Sequence, residues 1–144
     1  PEDRALNRFV QIARVSPVVP KLGVREQRIQ PVFVADVGEV VARVFARDDT
    51  WQRVYEVGGP DVLSMTQVIE TMLDVTGRRR LIVPVPVPLL KLGVAPLLVL
   101  PRPPMTPGGI EFAVQDGVVD LTEVIKTLEF EPRSLRAGLE TYLT

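Results

Sequence analysis

The sequence predicts a mixed α/β fold, in which short strands and amphipathic helices alternate along the chain. Residues 28–77 follow the order strand, helix, strand, helix, with a polar turn at each junction. The 144 residues are enough for one domain with a hydrophobic core, and 46% of them are hydrophobic, which is ordinary for a globular domain. No internal repeat occurs, and we interpret residues 1–144 as a single structural unit.

The first element is a predicted helix over residues 2–15. Its apolar side chains recur with the i, i+3, i+4, i+7 spacing of an amphipathic helix; they are Leu6, Phe9, Val10 and Ala13. Ser16-Pro17 ends this helix, because the residue before a proline avoids the helical region. Residues 18–26, with a proline and a glycine, are predicted to form a loop.

Next comes a short strand over residues 29–34, interrupted by Pro31, which places it at a sheet edge or a strand start. Asp36 is predicted to open a helix that runs to residue 47, with Glu39 completing a capping box. The apolar face of this helix consists of Val37, Val40, Val41, Val44 and Phe45.

A second strand is predicted over residues 53–57, because valine and tyrosine favour strands. Gly58-Gly59-Pro60-Asp61 is interpreted as a turn rather than a phosphate-binding loop, which would need three spaced glycines. Ser64 and Gln67 form a predicted capping box for a helix that ends near residue 76, and Gly77 provides a left-handed stop.

The remaining elements are an extended segment and several short helices. Residues 80–87 alternate apolar residues with prolines, which indicates an edge strand or polyproline conformation. Helices are predicted over residues 88–100, 108–115, 121–128 and 135–143. Residues 81–101 are apolar enough to suggest a membrane span, but Lys91 and five prolines argue against a continuous helix. Surface contact of this stretch with lipid, a long-tailed substrate or a partner stays open.

Composition excludes several classes of chemistry. The net charge of −1 lacks the basic footprint of a nucleic-acid-binding protein. With no histidine and no cysteine, the chain has no Ser-His-Asp triad, no zinc site with these ligands and no disulfide. It also lacks a glycine-rich phosphate loop and a Tyr-x-x-x-Lys pair, so we expect no catalytic residue within it. The absence of a signal-peptide pattern favours a cytoplasmic location.

Two stretches resemble a known family. RIQPVFVADVGEVV is similar to the Arg-x-x-x-Val-x-Val-x-Asp-Val-Ala pattern of extended short-chain dehydrogenase/reductases, the NAD-dependent epimerase/dehydratase group. VYEVGGPDVLSMTQVIETMLDVTGRR resembles the strand, GGP and helix unit that follows in that family. Together with PEDRALNRF, these stretches resemble its atypical branch, which includes the NAD(P)H-binding accessory subunit of respiratory complex I.

The resemblance implies that this chain is the C-terminal portion of a larger protein, an α+β piece when taken by itself. It would hold the last strands and helices of a Rossmann-like sheet and a small helical substrate-binding cap. The N-terminal dinucleotide-binding part would bind NAD or NADP in the intact parent, and we expect no cofactor on this chain alone. By the same resemblance, Pro1 would lie near the nicotinamide, and Arg28 and Gln30 would contact a small-molecule substrate whose identity the sequence does not reveal. Phenylalanine replaces the histidine of Val-His-Val-x-Asp in sugar-nucleotide epimerases, which weakens a sugar-nucleotide assignment.

Two functional hypotheses follow. In the first, the chain is the substrate-binding fragment of an NAD(P)-dependent dehydrogenase, reductase, epimerase or dehydratase, and is inactive alone. In the second, it belongs to a non-catalytic, nucleotide- or lipid-associated assembly module related to complex I accessory subunits. Because missing strands would leave a sheet edge open, a homo-oligomer is also expected.

Overall fold

The computed structural model describes residues 4–96 and 106–143, with side chains over residues 10–96 and 106–141. Within these ranges the α-helices are α1 (Arg4–Val15), α2 (Val34–Phe45), α3 (Met65–Val75), α4 (Val87–Val94), α5 (Pro107–Ala113), α6 (Thr122–Leu128) and α7 (Leu135–Leu143). The strands are β1 (Val18–Leu22), β2 (Arg28–Ile29), β3 (Leu63–Ser64) and β4 (Leu81–Val85). A 3₁₀ turn spans Asp48–Thr50. The α/β prediction is confirmed. Of the helix predicted over residues 88–100, the part at residues 97–100 lies outside the described residues.

The strands form two small sheets. β1 and β4 pair in parallel, from Val18 opposite Leu81 to Leu22 opposite Val85. The prediction of a loop over residues 18–26 was therefore wrong for β1, because a proline is tolerated where the strand has no neighbour on its N–H side. The extended prediction for residues 80–87 is confirmed by β4.

The first hydrophobic core lies between α1, α3, α7 and β1. Its buried members are Val10, Ala13, Val19, Ile69, Met72, Leu73 and Leu139. The capping box of α3 is present as predicted, since the Gln67 N–H donates to Ser64 Oγ and the Ser64 N–H donates to Gln67 Oε1. Gly77 has a φ of 63° and ends this helix in the left-handed conformation, also as predicted.

The second core lies between α2 and α6. Val40, Val124, Leu128 and Phe130 are buried there, and Val44, Tyr55, Val57 and Leu121 pack against them. The predicted apolar face of α2 is only partly buried, because Val41 is 48% exposed and Phe45 is 77% exposed.

Three local predictions around this core were wrong. The N-cap of α2 is Phe33 rather than Asp36, and no side chain caps it. Asp36 instead lies in the first turn, where its carboxylate accepts a hydrogen bond from the Arg133 N–H at 2.8 Å. The strand predicted for residues 29–34 is limited to β2, and residues 53–57 pair with no described strand. Strand propensity is realised only where a partner strand is present.

None of the helices in the described ranges combines the length and apolar character that a membrane crossing requires.

Candidate functional site

Arg28 lies on β2, and its main chain is held on both sides. Its N–H donates to Asp116 Oδ1 at 2.9 Å, and its carbonyl accepts from the Gly117 N–H at 2.8 Å. Across the small antiparallel sheet, Arg28 faces Ser64 at the start of α3. The side chain is exposed, and among the described residues no acceptor pairs with its guanidinium. Hydrogen bonds therefore fix the main chain of Arg28, while its guanidinium pairs with no described acceptor.

Arg25 is the other arginine close to this position, and its side chain is already committed. Its Nη2 lies 2.7 Å from Asp116 Oδ2. Asp116 thus uses one carboxylate oxygen for the Arg25 side chain and the other for the Arg28 main chain. Of the two arginines, Arg25 has an acidic partner, whereas no described carboxylate pairs with the Arg28 guanidinium.

Gln30 connects three segments through its side-chain amide. Its Nε2 donates to the Gly59 carbonyl at 2.8 Å, and its Oε1 accepts from the Val119 N–H at 3.0 Å. Both ends of the amide are thus engaged within the chain. Gln30 fixes the backbone two residues after Arg28, and its remaining proton and lone pair are the only groups it can offer a ligand.

The two glycines after residues 53–57 allow a close approach to this strand. A Cβ on Gly59 would lie 1.9 Å from the Pro31 carbonyl oxygen. A Cβ on Gly58 would lie 2.7 Å from Val119 Cγ2 and 3.0 Å from Gln30 Cδ. Neither glycine has a positive φ, so the pair is required by proximity to the Arg28 strand rather than by a left-handed turn.

The N-terminus of α3 is not a second anion site. Its first N–H groups donate to acceptors of the same chain, namely the Gln27 carbonyl, the Glu26 carboxylate and Ser64 Oγ. Because these donors are occupied, an anion arriving at this edge would meet the Arg28 guanidinium and not a helix terminus.

Glu26, two residues before Arg28, forms an ion pair with Lys21. The Lys21 ammonium is buried and pairs with the Glu26 carboxylate, which also accepts from Thr66 Oγ1 at 2.7 Å. Hydrogen bonding by Lys21, followed by that from Thr66, holds the pKa of Glu26 below the usual glutamate value of 4.5. This carboxylate joins β1, the loop before β2 and α3.

A shallow cleft of about 440 Å³ lies on another part of the surface, between α2 and residues 125–133. Both arginines that line it are engaged by groups of the same chain. Arg133 Nε lies 3.3 Å from Asp36 Oδ1, and Arg43 pairs with Glu39 while donating to the carbonyls of Leu128 and Glu129. This arrangement anchors α2 to the chain before α7, and it does not include Arg28 or Gln30.

Arg28 and Gln30 were predicted from the sequence as substrate-binding residues, whereas Asp116 and Gly117, which hold the main chain of Arg28, were not predicted. The Asp-Gly pair is a turn signal, yet nothing in it indicates a partner 88 residues away in the sequence. Pro1 lies outside the described residues. Within those residues, no group of three or more aspartate or glutamate side chains is arranged to hold a metal ion.

Comparison with solved structures defines the fold. The chain aligns over 96% of its length with UDP-glucose 4-epimerase from Thermotoga maritima, solved with UDP-glucose, at 20% identity and a TM-score of 0.65, covering 37% of that protein. It aligns equally well, at 15% identity and a TM-score of 0.65, with an NADPH-dependent quinone oxidoreductase from Escherichia coli, covering 52% of it. The chain therefore has a Rossmann-like α/β fold that it shares with portions of these two proteins. The predicted resemblance is confirmed.

A more specific similarity comes from sequence. The chain is 31% identical over 96 residues to NADH dehydrogenase [ubiquinone] 1 alpha subcomplex subunit 9, a mitochondrial protein of Arabidopsis thaliana. This match covers 66% of the chain and 24% of the plant protein, so the chain spans about a quarter of that relative's length. No family model matches the chain.

Proposed function

We propose that this chain is the substrate-binding portion of an NAD(P)-dependent oxidoreductase or epimerase/dehydratase. Arg28 holds an anionic part of the substrate. A separate dinucleotide-binding portion supplies NAD or NADP and the groups that catalyse the reaction. The 144 residues alone bind no cofactor and show no nicotinamide-dependent turnover.

The observation that carries this proposal is the contrast between the two neighbouring arginines. Arg25 is neutralised by Asp116, whereas the same carboxylate holds only the main chain of Arg28. An exposed guanidinium on a fixed strand can form two parallel hydrogen bonds with a phosphate or carboxylate. The name of one solved neighbour, an NADPH-dependent quinone oxidoreductase, supports a nicotinamide protein. The other neighbour is a UDP-glucose 4-epimerase, so the two names leave the substrate class open.

Gln30 has a positioning role in this proposal. Because both ends of its amide are bonded to residues 59 and 119, it holds the Arg28 strand in place, and any contact with substrate would be additional. We also propose that Pro1 lies close to the nicotinamide in the assembled protein.

The test uses pyrophosphate as a simple anion that a guanidinium fork can bind. Binding to the 144-residue chain is followed by NMR through the side-chain N–H signals of arginine. Arg28→Gln should weaken binding roughly tenfold or more, because a hydrogen bond to a charged group contributes about 1.5–3 kcal/mol. Arg79→Gln, which removes another exposed arginine, is the matched control and should leave binding unchanged. Equal effects of the two substitutions would contradict the assignment.

A second function is favoured by the similarity to a complex I subunit. In that case the parent is a non-catalytic nucleotide-binding module, and an apolar surface docks on a membrane complex or lipid. Leu81, Leu89 and Leu92 are 66%, 58% and 70% exposed on β4 and α4, and would supply that surface. Turnover assays on the intact parent separate the two, because only the enzyme turns over. NADPH oxidation with a panel of carbonyl substrates detects an oxidoreductase, and product analysis with the nucleotide cofactor present detects an epimerase or dehydratase.

The location of the protein is part of the same question. We propose the cytoplasm for this protein, whereas the plant relative is mitochondrial. Fluorescent tagging of the intact gene product in its own cells decides between the two.

A further inference from the structure

Two exposed valines lie beside the strand that holds Arg28. Val62 comes just before β3, which pairs with β2 on one side. Val118 comes just after Gly117, which bridges Ile29 on the other side. The two valines are 40% and 45% exposed. Because neighbouring strands lie about 4.8 Å apart, both valines lie within about 10 Å of the Arg28 main chain.

Two further apolar side chains extend this surface away from the strand. Val24 lies in the loop before β2 and is 66% exposed, and Phe112 lies near the end of α5 and is 76% exposed. The loop and the end of α5 are in contact, since a Cβ on Gly23 would lie 3.3 Å from Val114 Cγ1. We call the four exposed apolar residues the apolar border of Arg28: Val24, Val62, Phe112 and Val118.

The polar side chains closest to Arg28 already have partners within the chain. Ser64, opposite Arg28, accepts a hydrogen bond from the Gln67 N–H through its Oγ. Gln30 uses both ends of its amide, and Asp116 uses both carboxylate oxygens. A ligand rich in hydroxyl groups would therefore find few free partners among the described residues here, and polar groups buried without partners weaken binding. A hydrocarbon group needs no such partners.

We infer that the substrate class of this site is an anionic amphiphile, in which a phosphate or carboxylate is attached directly to a hydrocarbon group. Arg28 binds the anionic group, and the apolar border of Arg28 covers the hydrocarbon. The occupant follows from charge complementarity, because the exposed guanidinium beside these apolar side chains has no described acidic partner. This inference rests on the proposed function, because it names the kind of molecule that Arg28 holds.

The length of the hydrocarbon group sets the expected effect. Full burial of one methylene strengthens binding about fourfold. On an open surface we expect about half of that free energy, or roughly twofold for each methylene. Hexyl phosphate has four methylenes more than ethyl phosphate, so it should bind at least tenfold more tightly.

The test compares four probes that carry the same anionic group: inorganic phosphate, ethyl phosphate, hexyl phosphate and glucose 1-phosphate. Binding is followed by NMR, through arginine side-chain N–H and valine methyl signals, in the 144-residue chain and in the natural polypeptide that contains it. Hexyl phosphate should bind at least tenfold more tightly than ethyl phosphate and glucose 1-phosphate. Its titration should shift the methyl signals of Val62 and Val118.

Serine substitutions locate the hydrocarbon. Val118→Ser and Val62→Ser should each reduce the preference for hexyl over ethyl phosphate at least twofold, with binding of inorganic phosphate unchanged. Val15→Ser is the matched control, because Val15 is an exposed valine at the end of α1, and it should change neither quantity. The series of alkyl phosphates on the unmodified protein keeps the test decisive if a variant fails to fold.

The outcomes separate this inference from the proposed function. If Arg28→Gln weakens binding of all four probes but hexyl phosphate binds no more tightly than glucose 1-phosphate, the substrate class is wrong and the proposed function stands. If Arg28→Gln changes nothing, Arg28 is not the anion site, and both fail.

Two controls address other ways of binding a hydrocarbon. Hexyl glucoside, which has no charge, should bind at least tenfold more weakly than hexyl phosphate, and equal binding would show that the anionic group is irrelevant. Vesicles of phosphatidic acid present a phosphate on a membrane surface. Binding to these vesicles without binding to hexyl phosphate would assign the surface to a membrane and overturn the inference.

Discussion

Replacing Gly59 with alanine should separate the two segments that fix the Arg28 strand. The added Cβ would lie 1.9 Å from the Pro31 carbonyl oxygen, whereas ordinary contacts begin at 3.4 Å. The added Cβ and the Pro31 carbonyl oxygen are both attached directly to the main chain, so no side-chain rotation relieves the clash. The segments must move apart by about 1.5 Å, and Gly59 is buried, which leaves little room for that movement.

The cost follows from the contacts that this movement breaks. Gly59 accepts from Gln30 Nε2 at 2.8 Å and donates to the Gln30 carbonyl at 3.4 Å. Two hydrogen bonds at about 1 kcal/mol each, with an overpacking cost of about 1–3 kcal/mol, give a loss of about 3–5 kcal/mol in the free energy of unfolding. For a chain of this size the Tm should fall by roughly 6–20 °C.

Thermal and urea unfolding followed by circular dichroism measure this loss. Gly117→Ala is the matched control, since Gly117 contacts the same strand but its added Cβ meets no atom within 4 Å. The control should stay within about 0.5 kcal/mol of wild type. If Gly59→Ala were as stable as Gly117→Ala, the close packing of residues 58–59 on the Arg28 strand would be wrong.

Two further substitutions test the polar interior. Tyr55→Phe should leave stability unchanged or raise it by up to about 1 kcal/mol, because the Tyr55 hydroxyl is buried without a hydrogen-bond partner among the described residues; a clear loss in urea unfolding would reveal a partner for it. Glu26→Gln should cost about 1.5–3 kcal/mol at pH 7, since it leaves the buried Lys21 ammonium without its carboxylate. Because the pKa of Glu26 is lowered on folding, its contribution is present above the ordinary value of 4.5 and is lost as the pH falls through the lowered value. Urea midpoints compared from neutral pH down through the acid range should thus converge for wild type and Glu26→Gln at the acid end, and a constant difference would contradict the pairing.

Local signals were enough to predict much of the fold. The helix start at Ser64 is capped by the Ser64 side chain as predicted, and the Gly77 stop is left-handed. These features depend on hydrogen bonds between residues three or four apart, so a short stretch of sequence contains all the information.

Predictions that depended on distant partners were less successful. Residues 18–22 combine two valines, which favour a strand, with Pro20, which disfavours one. These residues form a strand because they pair with β4. The sequence predicts Asp36 as a helix cap, but in the structure its carboxylate accepts a hydrogen bond from the main-chain N–H of Arg133, 97 residues later. At the candidate site, Arg28 was recognisable by family resemblance, whereas its support by Asp116 depends on a contact 88 residues away. Such contacts are set by tertiary packing, which local propensity does not encode.

We propose that this chain binds the substrate through Arg28 and leaves the cofactor to a dinucleotide-binding portion. The most direct measurement is a calorimetric titration of NADPH into the 144-residue chain, paired with the same titration of the natural polypeptide or complex that contains it. We expect no saturable heat with the chain alone and saturable binding with the larger assembly. Saturable binding of NADPH to the isolated chain would contradict it.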